Sequence, residues 1–138
     1  MKEIKFRAWN KKREAMAFVS VMYLDKLEYH AAVELNYPFN RKIEKTREIV
    51  NLSEVELMQY TGLKDCKERE IYENDIVKTK IGVMDFVLKV VFENGKFMAV
   101  GDDDDLTAFD LFTIADKCEV IGNIYENSEL LKWNITNF

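Results

Sequence analysis

The chain has 138 residues, 48% of them hydrophobic and 33% charged, with a formal net charge of −5 and only one proline. These values are typical of a globular chain with one domain or two small ones, and they exclude a disordered, collagen-like or membrane-embedded protein. The negative charge also argues against a chain whose main role is to neutralise phosphates. The charge is uneven, at net +4 over residues 1–14 and net −7 over residues 101–138. The two ends could pair with each other or with those of another copy, or they are simply solvated.

The two cysteines, Cys66 and Cys118, belong to no Cys-x-x-Cys pair, and two thiols in a chain of this length indicate a reducing compartment. The N-terminus lacks the apolar region of a signal peptide, and no run of apolar residues is long enough to span a bilayer. We therefore expect a cytoplasmic protein without a membrane partner.

The first predicted element is a β-hairpin. Over residues 4–9 the small or apolar side chains of Ile4, Phe6 and Ala8 alternate with Lys5, Arg7 and Trp9. A polar loop covers 10–14, and a second apolar run covers 15–23. Residues 24–35 have apolar residues at helical spacing, although Tyr29 and Val33 fit a strand equally well.

After the hairpin, residues 46–52 have strand character. Ser53, followed three residues later by Glu56, has the form of a capping box for a very short helix.

Strand signals are clearest from residue 71 onward. Asn94-Gly95 predicts a two-residue hairpin turn, Gly122 predicts a bulge or a close backbone approach, and residues 106–115 are compatible with a short helix. A terminal helix is expected over 127–133, capped by Asn127 or Ser128. The further predicted strands lie at the end of 71–80 and over 83–92, 97–100 and 118–125.

This pattern predicts an α+β, mainly β fold. Residues 1–56 form an N-terminal hairpin region with some helix, and residues 57–138 form a small barrel with a short C-terminal helix. We expect the two regions to share one core.

The residues offer little support for catalysis or a cofactor. The single histidine, His30, has no nucleophile nearby in sequence, and with Cys66 and Cys118 it lacks the spacing of a zinc site. The run Asp102 to Asp105 fails the EF-hand template and fits a solvated turn. The isolated glycines form no phosphate-binding loop. Glu70, Glu73 and Asp75 are more typical of a hydrogen-bonded turn than of acid–base catalysis. We expect no enzyme activity, no cofactor and no metal.

One segment of the chain is compatible with nucleic-acid binding. Aromatic and basic side chains interleave on the predicted hairpin, where they could stack on bases and contact phosphates. The alternative is that this basic loop keeps the tip of the hairpin soluble. The candidate contacts are Arg7, Trp9, Lys11, Lys12 and Arg13.

Three blocks of sequence together carry a family resemblance. They are IKFRAW (4–9) followed by Met16, LMQYTGLKD (57–65) with EIYENDIV (70–77), and EVIGNIYEN (119–127) followed by Glu129-Leu130-Leu131. In this order and spacing they resemble the YopX-like family of small phage and prophage proteins. The resemblance implies an SH3-like barrel in the C-terminal half, a phage or prophage origin, a bacterial cytoplasm as the compartment, and self-association, but no assigned reaction.

The chain departs from the family pattern at three turns. This chain has Asp65-Cys66-Lys67-Glu68 where the family usually has Asp-Lys-Asn-Gly. It has Glu73-Asn74-Asp75 in place of Glu-Gly-Asp, and Asn127-Ser128-Glu129 in place of Asn-Pro-Glu. Asn74 tolerates a positive φ and can keep its turn, whereas Glu68 suggests a different geometry. Asp75 is expected to bind backbone amides of its own turn.

These observations favour a non-enzymatic phage-encoded accessory protein. It would bind a phage or host protein, or another copy of itself, through exposed aromatic residues of the small barrel. The alternative is a nucleic-acid-associated module in phage replication or transcription. The candidate interaction surface consists of Gln59, Tyr60, Tyr72 and Tyr125.

Overall fold

The structure is a computed structural model that describes residues 3–24, 31–38, 47–102 and 106–133. Most of these residues lie in antiparallel β-strands, which confirms a mainly β fold. The chain divides into two compact units, an N-terminal unit (Glu3–Gln59) and a C-terminal unit (Tyr60–Phe138). The division falls inside a strand, three residues beyond the boundary expected from the sequence.

The N-terminal unit is one curled antiparallel sheet with the strand order β4-β3-β2-β1-β5. The predicted hairpin is confirmed, since β1 and β2 pair from Arg7 with Phe18 to Asn10 with Ala15. The strands are β1 (Phe6–Asn10), β2 (Ala15–Leu24), β3 (Ala31–Asn36), β4 (Arg47–Asn51) and β5 (Val55–Lys64).

Strand β3 replaces the helix considered for residues 24–35. Its residues pair with β2 on one side and with β4 on the other, so their backbone hydrogen bonds belong to the sheet. Val33 and Leu35 are buried while Ala32 and Glu34 are not, which is the two-residue period of a strand. The helical expectation is therefore wrong for residues 31–36, and residues 25–30 lie outside the described part of the chain.

The capping box expected at Ser53 is also wrong. Residues Leu52–Glu54 form one turn of 3₁₀ helix, and Asn51 rather than Ser53 precedes it without a side-chain cap. Glu56 is already in β5, where it pairs with Trp9. The sheet hydrogen bonds of β5 start at Val55, so the turn cannot extend into a longer helix.

The C-terminal unit contains a five-stranded antiparallel sheet with the order β10-β9-β8-β7-β11, and β6 pairs with the end of β5. Because β10 and β11 are the two edges of this sheet, the described residues form no closed barrel. The strands are β6 (Glu70–Tyr72), β7 (Asp75–Ile81), β8 (Met84–Glu93), β9 (Lys96–Val100), β10 (Ala108–Asp110) and β11 (Cys118–Asn123).

The helix predicted over residues 106–115 is only partly correct. Residues 108–110 pair with β9 as strand β10, and a single α-helical turn, α1 (Leu111–Ile114), follows. The Asp110 carboxylate caps α1 by accepting from the Phe112 N–H at 3.0 Å. The expected terminal helix is a 3₁₀ helix, Ser128–Trp133.

The tight turns follow the sequence closely. Asn94 and Gly95, at φ of 52° and 80°, connect β8 to β9 as the predicted two-residue turn. Asn74 keeps a positive φ of 66°. Glu68 takes φ of 63°, a left-handed conformation that glycine adopts at little cost. A turn geometry different from that of the family stays a prediction.

Each unit has its own cluster of buried hydrophobic side chains. In the N-terminal unit the cluster is rich in alanine, with Ala8, Ala15 and Ala17 beside Val33 and Leu35. In the C-terminal unit larger side chains dominate. They include Ile71, Val77, Leu88, Val90, Leu111 and Cys118.

Candidate functional site

The basic hairpin residues are largely paired with carboxylates of the N-terminal unit. Lys11 lies 3.2 Å from Glu56, and Arg13 binds Glu48 through two bonds of 2.8 and 3.1 Å. Hydrogen bonding to Glu48 and the charge of this group raise the pKa of Arg13. Lys12 is exposed. The structure thus places Lys11, Lys12 and Arg13 in one turn. Two of them, Lys11 and Arg13, form ion pairs with carboxylates of the same unit.

Arg7 and Trp9 lie on β1 and are half-buried. Trp9 pairs in register with Met16 on β2 and Glu56 on β5, so strands flank it on both sides. A half-buried ring between two paired strands offers less surface for stacking on a base than an exposed ring does.

A buried polar network joins β1 to β4. Asn10 donates to the Tyr37 hydroxyl at 2.8 Å and to Glu48 at 3.2 Å, and the Tyr37 hydroxyl also donates to Glu48. In a flat sheet β1 and β4 would be about 14 Å apart, three strand spacings, so these bonds require a strongly curled sheet. Burial, followed by the bond to Glu48, raises the pKa of Tyr37 to about 12. Sequence reasoning missed this network, because its members lie far apart along the chain.

The expectation that Tyr60 and Tyr72 are exposed is wrong. Their side chains are 3% and 4% exposed, and their rings pack together at 5.5 Å because β5 and β6 pair at these two residues. Gln59 and Tyr125 are half-buried, and the Tyr125 hydroxyl accepts from the Asn74 side chain at 3.2 Å. A contact of Gln59 or Tyr125 with a partner stays a prediction.

A buried carboxylate, Asp65, fixes the loop before β6 against the edge of β11. One oxygen accepts from the backbone N–H groups of Lys67 and Arg69, at 2.8 and 2.9 Å, and the other from that of Val120 at 2.8 Å. Burial alone would raise the pKa of Asp65, but these three donors and the Arg69 charge outweigh it and lower the pKa below 3.8. The sequence indicated only a polar turn here.

The two cysteines meet at the same edge. The Cys66 N–H donates to the Cys118 carbonyl at 2.8 Å, and both thiols are free. Burial raises the pKa of Cys118 to about 11, which keeps it protonated and unreactive at neutral pH. The prediction of thiols rather than a disulfide is consistent with this arrangement.

Two further expectations about turns are confirmed. Asp75 accepts from the Tyr72 N–H at 2.8 Å, across the Glu73-Asn74 turn. Gly122 lies at a register shift of the β7–β11 pair. A Cβ added at this position would lie only 2.6 Å from the Cγ atom of Asn127. Gly122 is thus both a bulge and a close approach.

An apolar pocket of about 280 Å³ opens on the C-terminal unit. Phe92 and Phe97 form its aromatic wall as a cross-strand pair with ring centroids 5.0 Å apart, and Phe112 of α1 is 77% exposed at its rim. We call this feature the aromatic pocket. Its other lining residues used below are Leu63, Lys96 and Asp110. Sequence reasoning assigned Phe112 to a helix and Phe92 and Phe97 to strands, and had no signal that the three meet.

Other candidate sites receive no support from the described residues. Within them, no group of three or more His, Cys, Asp or Glu side chains is placed to hold a metal ion. His30, Asp103, Asp104 and Asp105 lie outside the described part of the chain. None of its described helices is long and apolar enough to cross a membrane.

The fold and the site define a mainly β protein with two antiparallel-sheet units and an aromatic pocket on the second. The YopX protein family model matches residues 5–132, and the chain belongs to this family. Among solved structures, it is similar to protein EF1440 from Enterococcus faecalis, with 28% identity, a TM-score of 0.61, and coverage of 95% of this chain and 99% of that one. It is also similar in fold to protein yopX from Bacillus subtilis, with 21% identity, a TM-score of 0.60, and coverage of 94% and 98%. No curated protein matches the chain.

Proposed function

We propose that this chain is a non-enzymatic protein-binding module of a phage or prophage, acting in the bacterial cytoplasm. Membership of the YopX family supports the phage assignment. The observation that carries the binding role is the aromatic pocket, whose rim residues Phe92 and Phe112 are 53% and 77% exposed. Exposed aromatic side chains grouped around a concavity are typical of protein interaction sites.

The aromatic pocket favours a side chain over a cofactor because it is open to solvent. Its volume of about 280 Å³ lies at the lower end for small-molecule sites, which usually enclose about 300–1,000 Å³ and bury most of the ligand's surface. One large apolar side chain of a phage protein, a host protein or another copy of this chain fits such a space. The C-terminal unit that carries it is proposed to be an SH3-like barrel, on the basis of its short antiparallel strands and tight turns.

Nucleic-acid binding is the weaker candidate. The Lys11–Glu56 and Arg13–Glu48 pairs would have to break before these cations could neutralise phosphates, and Arg7 and Trp9 are half-buried. The overall charge of −5 adds repulsion from a polyanion. Binding of this kind would fall steeply with salt.

The test is capture of partners from lysate of the phage-bearing host, with and without nuclease, using three forms of the protein. The wild type is compared with a double variant, Phe92→Ser with Phe112→Ser. The control removes two other exposed apolar side chains, at the β7–β8 turn, by Val83→Ser with Met84→Ser. We expect a nuclease-resistant partner that the pocket variant loses and the control retains, followed by direct binding of the purified pair. Capture that ends with nuclease would support the nucleic-acid module, and equal capture by both variants would exclude the pocket.

A further inference from the structure

The turn between β8 and β9 holds the only Asn-Gly pair of the sequence, Asn94-Gly95. Both residues are exposed and have positive φ, and the ladder of the two strands ends at the pair of Glu93 with Lys96. The Gly95 N–H therefore lies outside the hydrogen bonds of the ladder. A Cβ built at Gly95 would meet no atom beyond the adjacent residues within 4 Å. The Asn94 side chain and the Gly95 nitrogen are thus neighbours in an open turn.

The other described asparagines are more constrained than Asn94. In two cases the next backbone nitrogen is bonded, since the Lys11 N–H donates to the Glu54 carbonyl at 3.2 Å and the Ile124 N–H to the Asn74 carbonyl at 3.0 Å. Every described asparagine except Asn94 precedes a residue whose side chain hinders approach to the following nitrogen. Side-chain hydrogen bonds are made by Asn10, Asn36, Asn74, Asn123 and Asn127.

We propose that Asn94 deamidates spontaneously in the folded protein and that its isoaspartate product alters the aromatic pocket. The Gly95 nitrogen attacks the Asn94 Cγ, so that a C–N bond forms, the bond from Cγ to the side-chain nitrogen breaks, and ammonia leaves with the Gly95 proton. Water then opens the five-membered imide at either carbonyl and yields aspartate or isoaspartate. No oxidation or reduction takes place. Glycine leaves the attack unhindered, and asparagine is among the thermolabile residues of proteins.

Contacts of the turn connect this reaction to the aromatic pocket. Gly95, Lys96 and Leu63 line the pocket, and the Lys96 ammonium lies 3.5 Å from the Asp110 carboxylate. The same carboxylate accepts from the Phe112 N–H at the start of α1. A displacement of Lys96 is therefore transmitted through Asp110 to the rim of the pocket.

The two products differ in their effect on the turn. Isoaspartate routes the main chain through the side-chain carbon, so the turn gains one backbone atom and no longer matches the twist of its strands. Aspartate adds a negative charge but keeps the turn, because Asp-Gly suits the same two-residue geometry. Isoaspartate at position 94 should therefore displace Lys96, whereas aspartate should leave it in place.

The test is incubation of the purified full chain at neutral and at mildly alkaline pH. Peptide mass spectrometry then follows residue 94, with fragmentation that separates aspartate from isoaspartate. We expect loss of the Asn94 amide with both products, faster at alkaline pH because the attacking nitrogen must lose its proton, while Asn123 and Asn127 stay intact. A sample in denaturant gives the rate of the unfolded chain. An Asn94 that stays intact in the folded chain while the unfolded chain reacts overturns the proposal, and so does aspartate without isoaspartate.

Two variants separate the reaction from its effect on the aromatic pocket. Asn94→Gly removes the amide and keeps the turn, since Gly-Gly also favours it, so this variant should not change on incubation. Asn94→Asp carries the charge without the extra backbone atom. In NMR spectra, incubated wild type should show shifted amide signals at Lys96 and Phe112, whereas fresh Asn94→Asp should keep the wild-type signal of Phe112. Isoaspartate at position 94 without a shift at Phe112 would refute the effect on the pocket. Unincubated protein is used for partner capture, so that result stands apart from this one.

Discussion

Replacing Asp65 with asparagine should destabilise the C-terminal unit by about 3 kcal/mol at neutral pH. Both carboxylate oxygens accept backbone bonds, two on Oδ1 and one, from Val120, on Oδ2. Asparagine has one accepting oxygen, so at least one of these part-buried N–H groups would face an amide NH₂ and lose its bond, at a cost of about 1–3 kcal/mol. The remaining bonds lose their charge assistance, which adds roughly 1 kcal/mol.

The assay is urea unfolding followed by the backbone amide NMR signals of the C-terminal unit, among them those of Lys67, Arg69 and Val120, the three donors to Asp65. The exposed Asp116 provides the matched control, and Asp116→Asn should change the free energy of unfolding by less than about 0.5 kcal/mol.

The pH dependence supplies a second, independent readout. Because the pKa of Asp65 is lowered in the folded state, its contribution is complete above the ordinary value of 3.8 and is lost as the pH falls through the lower folded value. The difference between wild type and D65N should therefore shrink in acid. A cost below about 0.5 kcal/mol at pH 7, or a difference that does not change in acid, would refute the assignment of loop docking to this carboxylate.

Three further substitutions test other contacts, each by urea unfolding. Gly122→Ala should lower the free energy of unfolding by about 1–3 kcal/mol, because the added Cβ would displace the Asn127 side chain, whose Oδ1 accepts from the Asn123 N–H. An unchanged free energy of unfolding would contradict the close approach. Tyr37→Phe should destabilise the N-terminal unit by about 1–3 kcal/mol, since Asn10 and Glu48 each lose a partner, and an unchanged midpoint would count against the network. Glu68→Gly should stabilise the C-terminal unit by about 0.5–1 kcal/mol by relieving the positive φ, and a loss of stability would refute strain there.

Local features of the chain were predictable because short stretches of sequence determine them. The Asn94-Gly95 turn follows from two residues that tolerate positive φ, and the bond from the Tyr72 N–H to Asp75 spans only three positions. Gly122 could be recognised because a glycine inside a strand pattern usually marks a bulge or a close contact.

Features that depend on distant residues were not predictable in the same way. The Asp65–Val120 bond joins residues 55 positions apart, and the Asn10–Glu48 bond joins residues 38 apart. Strand β3 was ambiguous because its apolar residues fit both periods, and only its pairing with β2 and β4 decides between them. Exposure of Tyr60 was misjudged because its burial depends on contacts such as that with Tyr72, which its own segment does not reveal.

The two edges of the C-terminal sheet, β11 and β10, differ in how they are protected from pairing with another strand. This difference affects where a partner would bind. At β11, the backbone groups of Cys118 and Val120 are hydrogen-bonded to residues of the 65–69 loop. These bonds prevent another strand from pairing with that edge. The opposite edge, β10, is only three residues long and ends at Asp110, which lines the aromatic pocket. Short edge strands resist strand addition along their backbone. Recognition at this end of the sheet would therefore depend on side chains entering the pocket, which is the mode that the Phe92 and Phe112 variants test.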